Sequence, residues 1–426
     1  MKTTVVSKRY EEVVALPKEK RFKPMKQSMF FRVLLKVASG FDLAATHFKC
    51  NKIGMEQLKP NEPCLVLMNH SSFIDLEIVA SVLFPRKFNI VATNDSFMGI
   101  MKWLMRLIGC IPTSKFVTDT TLIRDMIYCV NELKSSVVMY PEASYSFDGT
   151  ATPLPDSIGR FVKMLGVPVV MIRTYGAFAR QPLYNCLRKR KVQVTADMKY
   201  VLSAEDVAVK SADEINDIIN TEFDFDNFKW QQENKISIPD AERAEGLNRV
   251  LYKCPHCMAE SKMVGKGTTL TCEQCGKQYE LTEYGYLQAT EGDTKFEHVP
   301  DWYCWERECV RQEILDNTYE LKVPVDICMM VDMKKIYRVG EGTLEHNKEG
   351  FHLTGCDGKL DYSQKPTASY SLYADYYWYE IGDVICIGDN KVSYYCFPKS
   401  EGDVVAKTRL ATEEMYKIEK ESRKRG

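Results

Sequence analysis

One of the chain's six histidines stands directly after an apolar run, in Asn69-His70-Ser71-Ser72-Phe73-Ile74-Asp75. A strand that leads into a helix there puts His70 at the carboxyl edge of a sheet, where open α/β sheets carry their sites. Residues five apart do not share a regular helical face. His70 therefore belongs to the turn, and Asp75 to the start of the helix, reaching back. In that geometry Asp75 holds one ring nitrogen and the other takes a proton from a hydroxyl. The same residues also read as a capping junction, with Ser71 or Ser72 as N-cap and a buried neutral histidine. Taken alone, the motif leaves both open.

A second group is chemically sharper. Cys254-Pro-His-Cys257 and Cys272-Glu-Gln-Cys275-Gly276 are two C-x2-C knuckles separated by fourteen residues. That spacing places four thiolates around one Zn²⁺. With every position filled by sulfur, the zinc is expected to be structural. The flanking LTCEQCGKQYEL alternates as zinc-ribbon strands do. Such modules bind nucleic acid or protein, so the ribbon alone does not set the function.

The elements that must position these residues follow from periodicity. Cys64–Met68, Phe88–Thr93, Val137–Tyr140, Pro168–Arg173 and Val192–Lys199 read as strands. Ser72–Leu83, Phe97–Ile108, Asp119–Leu133 and Asp156–Leu165 read as helices between them. The alternation predicts an α/β sheet flanked by helices. Residues 28–44 read as an amphipathic helix with Phe30, Leu34, Val37 and Phe41 on one face and Arg32 and Lys36 on the other. It is either packed on a core or laid on a membrane surface. The stretch 97–109, apolar around Lys102 and Arg106, reads as core or as a greasy acyl-chain surface.

The expected division is a basic amino-terminal region over 1–60, a catalytic domain over 61–230, and a polar linker over 231–249. A zinc ribbon follows over 250–290, a connecting helix over 291–319, and a β-rich domain with a carboxy-terminal helix over 320–426. Many short strands closed by one helix resemble a PH-like barrel.

Composition bounds the function. At 426 residues the chain holds two or three domains, and its net charge of -1 excludes a nucleic-acid binder working by bulk charge. Residues 1–60 nonetheless carry 13 Lys/Arg against 5 Asp/Glu, and 201–250 carry 5 against 12. A basic end on a neutral chain suits an anionic membrane surface. No secretory signal or spanning helix is read, and fifteen cysteines fit reduced thiols in a cytoplasm. The expected location is the inner face of the cell membrane, peripherally bound.

Four ordered blocks then weigh on His70: NHSSFID, GCIPTSK at 109–115, YPEASYS at 140–146 and VPVVMI at 167–172. Over roughly residues 28–230 they resemble the glycerolipid acyltransferase family, the 1-acylglycerol-3-phosphate and glycerol-3-phosphate acyltransferases. A following zinc ribbon is similar to the arrangement of some bacterial 1-acylglycerol-3-phosphate members. The resemblance implies transfer of an acyl group from CoA or acyl carrier protein to a lysophospholipid hydroxyl, giving phosphatidic acid. It implies His70 as general base and Asp75 as its orienter. Gly109, Thr113, Lys115, Glu142, Ser144 and Tyr145 would bind the acceptor.

The third block departs from the family's Pro-Glu-Gly-Thr-Arg-Ser at Ala143, Ser144 and Tyr145. A lost Arg at a phosphate costs about 1.5–3 kcal/mol. Either Arg124, Arg160, Arg173 or Arg180 substitutes, or the acceptor is another lysolipid or an amino-acid lipid. A degenerate scaffold recruited through the ribbon and the PH-like region is the reading from a different class.

Overall fold

The computed structural model describes residues 5–17, 21–99, 101–116, 119–389, 391–400 and 402–425. MKTT and residues 18–20 of the basic amino-terminal region lie outside them, as does Ile100 of the apolar stretch 97–109. The chain forms two compact units, one of Lys20–Gln181 with Lys189–Asn227, the other of Met1–Glu19, Pro182–Arg188 and Phe228–Gly426.

The first unit is built on seven strands: β1 Lys49–Ile53, β2 Leu65–Met68, β3 Phe88–Thr93, β4 Cys110–Thr113, β5 Ser136–Met139, β6 Val169–Tyr175 and β7 Thr195–Leu202. Their order across the sheet is β1-β7-β6-β2-β5-β3-β4. The run from β6 to β4 is parallel, whereas β7 pairs antiparallel with β6 and parallel with β1. Parallel strands need crossovers, which are α2 Asp75–Val82, α3 Met101–Leu107, α4 Thr120–Asn131 and α5 Ile158–Leu165; α1 is Met29–Ala45.

All four residues of β2 are buried, as expected of a central strand covered on both faces. Leu65 and Leu67 join Val137, Val169 and Met171 beneath Met126 and Val130 of α4 and Val162 and Leu165 of α5. Asp119 caps α4, accepting from the N–H groups of Thr121 and Leu122 at 2.9 and 3.0 Å.

Two strands were not anticipated. β1 is an edge strand with four of its five residues exposed, so it shows no alternation. β4 is the opposite edge and contains Pro112, which a sheet tolerates only at its margin.

Helix α1 inverts the usual pattern. Phe30, Leu34, Val37 and Phe41 are 70%, 47%, 57% and 80% exposed. Its polar residues turn inward: Lys36 Nζ donates to Ser81 Oγ at 2.7 Å, and Arg32 to the carbonyl of Pro85. The expected helix 97–109 is a 3-10 turn, Asn94–Phe97, followed by α3. Phe97 is buried while Trp103 is 67% exposed, so the stretch divides between core and surface.

The second unit holds a four-stranded antiparallel sheet, Met263–Lys266, Thr269–Cys272, Gln278–Leu281 and Leu287–Ala289. Residues 231–249, read from the sequence as a linker, pack here: Ala244 and Leu247 are fully buried, and the Ala244 N–H donates to Gly267 O at 2.9 Å. Helix Val299–Leu315 follows, then an eight-stranded sheet from Leu321 to Pro398. Its eighth member is the amino-terminal strand Val5–Ser7, which pairs with Ile336–Arg338. Helix Val405–Arg425 closes the unit and meets Val299–Leu315 through Arg307, which lies 2.7 Å from Glu413 and 3.0 Å from Glu414.

Candidate active site

The carboxyl ends of β2, β5 and β4 carry the residues singled out by the motifs. β2 and β5 are adjacent, so His70, one residue beyond Asn69 at the end of β2, comes beside Tyr140, Pro141 and Glu142. Asn69 fixes the strand end against β6: its Oδ1 accepts from the N–H of Thr174 at 2.8 Å, and its Nδ2 donates to Thr174 O at 3.2 Å.

His70 Nδ1 lies 2.9 Å from Asp75 Oδ2. A carboxylate oxygen only accepts, so Nδ1 carries the proton and Nε2 has the free lone pair. Asp75 is the first residue of α2 and is 1% exposed. Its Oδ2 also accepts from the N–H groups of Ser71 and Ser72, at 2.8 and 3.2 Å. One carboxylate oxygen thus both holds the imidazole and closes the turn into α2. Ser71 and Ser72 act through their backbones, and neither hydroxyl caps α2.

Glu142, also 1% exposed, braces the turn from the other side. One oxygen accepts from the His70 N–H at 2.9 Å. The other accepts from the N–H and hydroxyl of Thr152, at 2.8 and 3.0 Å. The His70 carbonyl accepts from the Ser146 N–H at 3.2 Å, closing the β5 loop onto the β2 turn.

Both faces of the imidazole are stacked, on Tyr140 at 4.1 Å and on Tyr145 at 3.8 Å between centroids. Burial pushes the His70 pKa below its usual value; Asp75 works against this and Lys115 adds to it. The ring is therefore neutral at neutral pH, the form a base requires. Burial also raises the Tyr140 phenol well above its usual range.

The remaining residues divide. Lys115 Nζ lies 5.9 Å from the Tyr145 ring centroid, and Thr113 ends β4 two positions earlier. Ser144 is buried, and its hydroxyl donates to Tyr145 O at 3.2 Å. Gly109 stands apart. It precedes the amino end of β4 with φ of 87°, and a Cβ there would meet Phe88 O at 3.0 Å. A strand of this length puts it roughly 13 Å from the edge that carries His70. Of the alternative bases, Arg173 donates to Asp224 O, Arg180 pairs with Asp42, and Arg124 and Arg160 are exposed. Tyr140, Thr152 and Asn69 were not singled out in the sequence. Tyr140, adjoining Pro141-Glu142, and Asn69, directly before His70, had a local signal, whereas Thr152 had none.

In the other unit the four cysteine sulfurs lie within 4.8 Å of one another, with Cys254–Cys275 at 3.8 Å and Cys257–Cys272 at 3.7 Å. Sulfurs held about 2.3 Å from a tetrahedral Zn²⁺ stand about 3.8 Å apart, so the four fit that ion. Gly276, at φ of 73°, brings its N–H to Cys272 O at 2.8 Å.

Residues 49–174, which include the histidine–carboxylate pair at the carboxyl edge of this mostly parallel sheet, match the family model described as Acyltransferase. Over that stretch the chain is similar to acyltransferases. A chloroplastic 1-acyl-sn-glycerol-3-phosphate acyltransferase of Brassica napus is 28% identical over 132 residues, 30% of this chain and 38% of that protein. One from Chlamydomonas reinhardtii is 27% identical over 176 residues, 41% of this chain and 51% of that protein. The chain thus spans about half or less of these curated relatives. The crystal structure of the 1-acyl-sn-glycerophosphate (LPA) acyltransferase of Thermotoga maritima aligns at 14% identity and a TM-score of 0.38, covering 45% of this chain and 76% of that one.

Proposed function

We propose that the protein is a peripheral membrane O-acyltransferase that carries a fatty acyl group from CoA or acyl carrier protein to the free hydroxyl of 1-acylglycerol-3-phosphate, forming phosphatidic acid. The single observation that carries this reading is the 2.9 Å pairing of His70 Nδ1 with Asp75, which leaves Nε2 as the proton acceptor. His70 Nε2 takes the hydroxyl proton as the oxygen attacks the thioester carbonyl. The C–S bond then breaks, and the thiolate leaves with the proton that His70 returns. No covalent acyl-enzyme is needed, because the acceptor hydroxyl is the nucleophile.

Glu142 holds the His70 turn, and Lys115 supplies positive charge toward an acceptor phosphate. Thr113 and Ser144 complete the acceptor side, while Gly109 belongs with the scaffold of β4. Membrane contact falls to the outward apolar face of α1, with Trp103 of α3 and Phe73, which are 67% and 55% exposed. Among the described residues no helix is long and apolar enough to cross a membrane. An interfacial helix on the inner face of the cell membrane fits both observations. The four-cysteine module is read as a structural zinc ribbon and the carboxy-terminal sheet with its closing helix as a PH-like domain, after the division set out from the sequence.

A second reading keeps the reaction and changes the acceptor to another lysolipid or an amino-acid lipid. Its support is Tyr145, which stands where the family has Arg and turns toward His70. Acyl transfer from acyl-CoA and acyl-acyl carrier protein to a panel of lysolipids tests both. Transfer to 1-acylglycerol-3-phosphate supports the first reading, and transfer only to other acceptors supports the second. Inactivity throughout removes both.

A further inference from the structure

The His70 ring lies between Tyr140, inclined by 21°, and Tyr145, inclined by 26°, with centroids 4.1 and 3.8 Å away. Two phenol rings cannot both lie so close and so parallel over one face of an imidazole without overlapping each other. They therefore take opposite faces. Asp75 occupies the edge at Nδ1. Among the described residues nothing hydrogen-bonds Nε2, which lies on the in-plane edge left over.

The two tyrosines come from different places. Tyr140 directly follows β5. Tyr145 comes from the loop beyond, which turns at Ala143 with φ of 54°. On its own periphery Tyr145 meets the Phe73 ring at 5.7 Å, and Lys115 Nζ lies 5.9 Å from its centroid.

We propose that Tyr145 is a positioning residue for the proton transfer: with Tyr140 it clamps the His70 ring so that Nε2 meets the acceptor hydroxyl only in the ring plane. This rests on the acyl-transfer reading above. A single hydrogen bond at Nδ1 leaves an imidazole free to rock about that nitrogen, and stacking on both faces removes the freedom. The lone pair of Nε2 lies in the ring plane, so the fixed plane presents it along the line a proton must travel. The clamp also serves the step that follows. Once the proton has arrived, the imidazolium is sandwiched between two π faces of negative potential, in a place with little water to solvate it. One face of Tyr145 is thus committed to the base, and its ring rather than its hydroxyl carries the role.

Two substitutions separate ring from hydroxyl. Tyr145→Phe keeps the stack and should hold kcat within about three-fold of wild type. Tyr145→Leu should lower kcat about 30-fold while the KM for the acceptor changes less than about three-fold. Tyr145→Met serves in its place should the leucine variant not fold. Equal losses in the Phe and Leu variants, or an effect confined to the acceptor KM, overturn the clamp and make the hydroxyl a head-group contact.

A second arm does not depend on activity. The ring protons of His70, assigned by their absence in His70→Gln, should be shifted upfield in NMR spectra by the two flanking rings. That shift should persist in Tyr145→Phe and shrink in Tyr145→Leu. An unchanged shift in Tyr145→Leu refutes the clamp whether or not any acyl transfer is found. A shift that behaves as expected in a protein without transferase activity keeps the clamp and removes the reaction.

Discussion

Asp75 Oδ2 accepts three N–H groups at once: His70 Nδ1 at 2.9 Å and the backbones of Ser71 and Ser72 at 2.8 and 3.2 Å. One oxygen holds the His70 ring and closes the turn into α2. Asp75→Asn is therefore expected to lower kcat about 10²–10⁴-fold and to lower stability by about 1–3 kcal/mol. His70→Ala should lose the activity with a smaller change in melting temperature. Retained turnover in Asp75→Asn beside a lowered melting temperature would reduce Asp75 to a turn brace. In wild type the acid limb of the kcat/KM profile should have its midpoint below about 6.5, because burial disfavours the imidazolium.

Glu142 accepts from the His70 N–H and from both donors of Thr152. In Glu142→Ala two backbone N–H groups lose their acceptor in a buried setting, costing about 1–3 kcal/mol each. Thermal melting should record that loss. Glu142→Gln keeps an acceptor oxygen and should recover part of it; a glutamine variant no better than alanine assigns the effect to charge.

The sulfur spacings of 3.7 and 3.8 Å lead to a metal count. Purified protein should hold about one zinc per chain by elemental analysis, and Cys254→Ser with Cys272→Ser should hold almost none. A variant that retains its zinc shows that the ion sits elsewhere.

Much of this was legible beforehand. β3 has the predicted bounds, Phe88–Thr93, because its short, mostly apolar run is bounded by Pro85-Arg86-Lys87 before and Asn94-Asp95 after. The His70–Asp75 and cysteine spacings pointed to groups that the fold does bring together, because each depends on residues close in sequence. What escaped depends on distance. The strand Val5–Ser7 finds its partner more than three hundred residues later, and Thr152 reaches Glu142 across a loop. The inward turn of Tyr145 follows the positive φ of Ala143, a conformation that alanine does not advertise. In 231–249 a few apolar residues among many polar ones, Ile238, Ala244 and Leu247, do the packing.

Glu77 on α2 predicts a pH effect on stability. Burial and the neighbouring Asp42 of α1 push its pKa up to about 7, against the pull of Lys189 and Arg180. An unfolded glutamate titrates near about 4.3, so between these values the folded chain holds the extra proton. The stabilising contribution is full below about 4.3 and is lost as pH rises through 7. Glu77→Gln keeps a donor toward Asp42 without the titration. Its melting temperature relative to wild type should be higher at pH 8 than at pH 5, and an equal gap at both would refute the assignment.

Helix α1 presents Phe30 and Phe41 at 70% and 80% exposure. Phe30→Asp with Phe41→Asp should abolish sedimentation with anionic vesicles while leaving the fold intact by circular dichroism. Undiminished vesicle binding would move the membrane contact elsewhere.

The four residues between His70 and Asp75 act as a ruler. With Asn69 and His70 they are the whole length of chain between the exit from β2 at Met68 and the entry into α2 at Asp75. An α-helix turns about 100° and advances about 1.5 Å with each residue. One inserted residue would swing the carboxylate a quarter-turn off the imidazole, and one deletion would swing it the other way. Side chains around the site can be exchanged, but this interval cannot be retuned. Any motion that rotates α2 about its axis is geared directly to the His70 ring, so rolling that helix would part the pair while the sheet beneath stays whole.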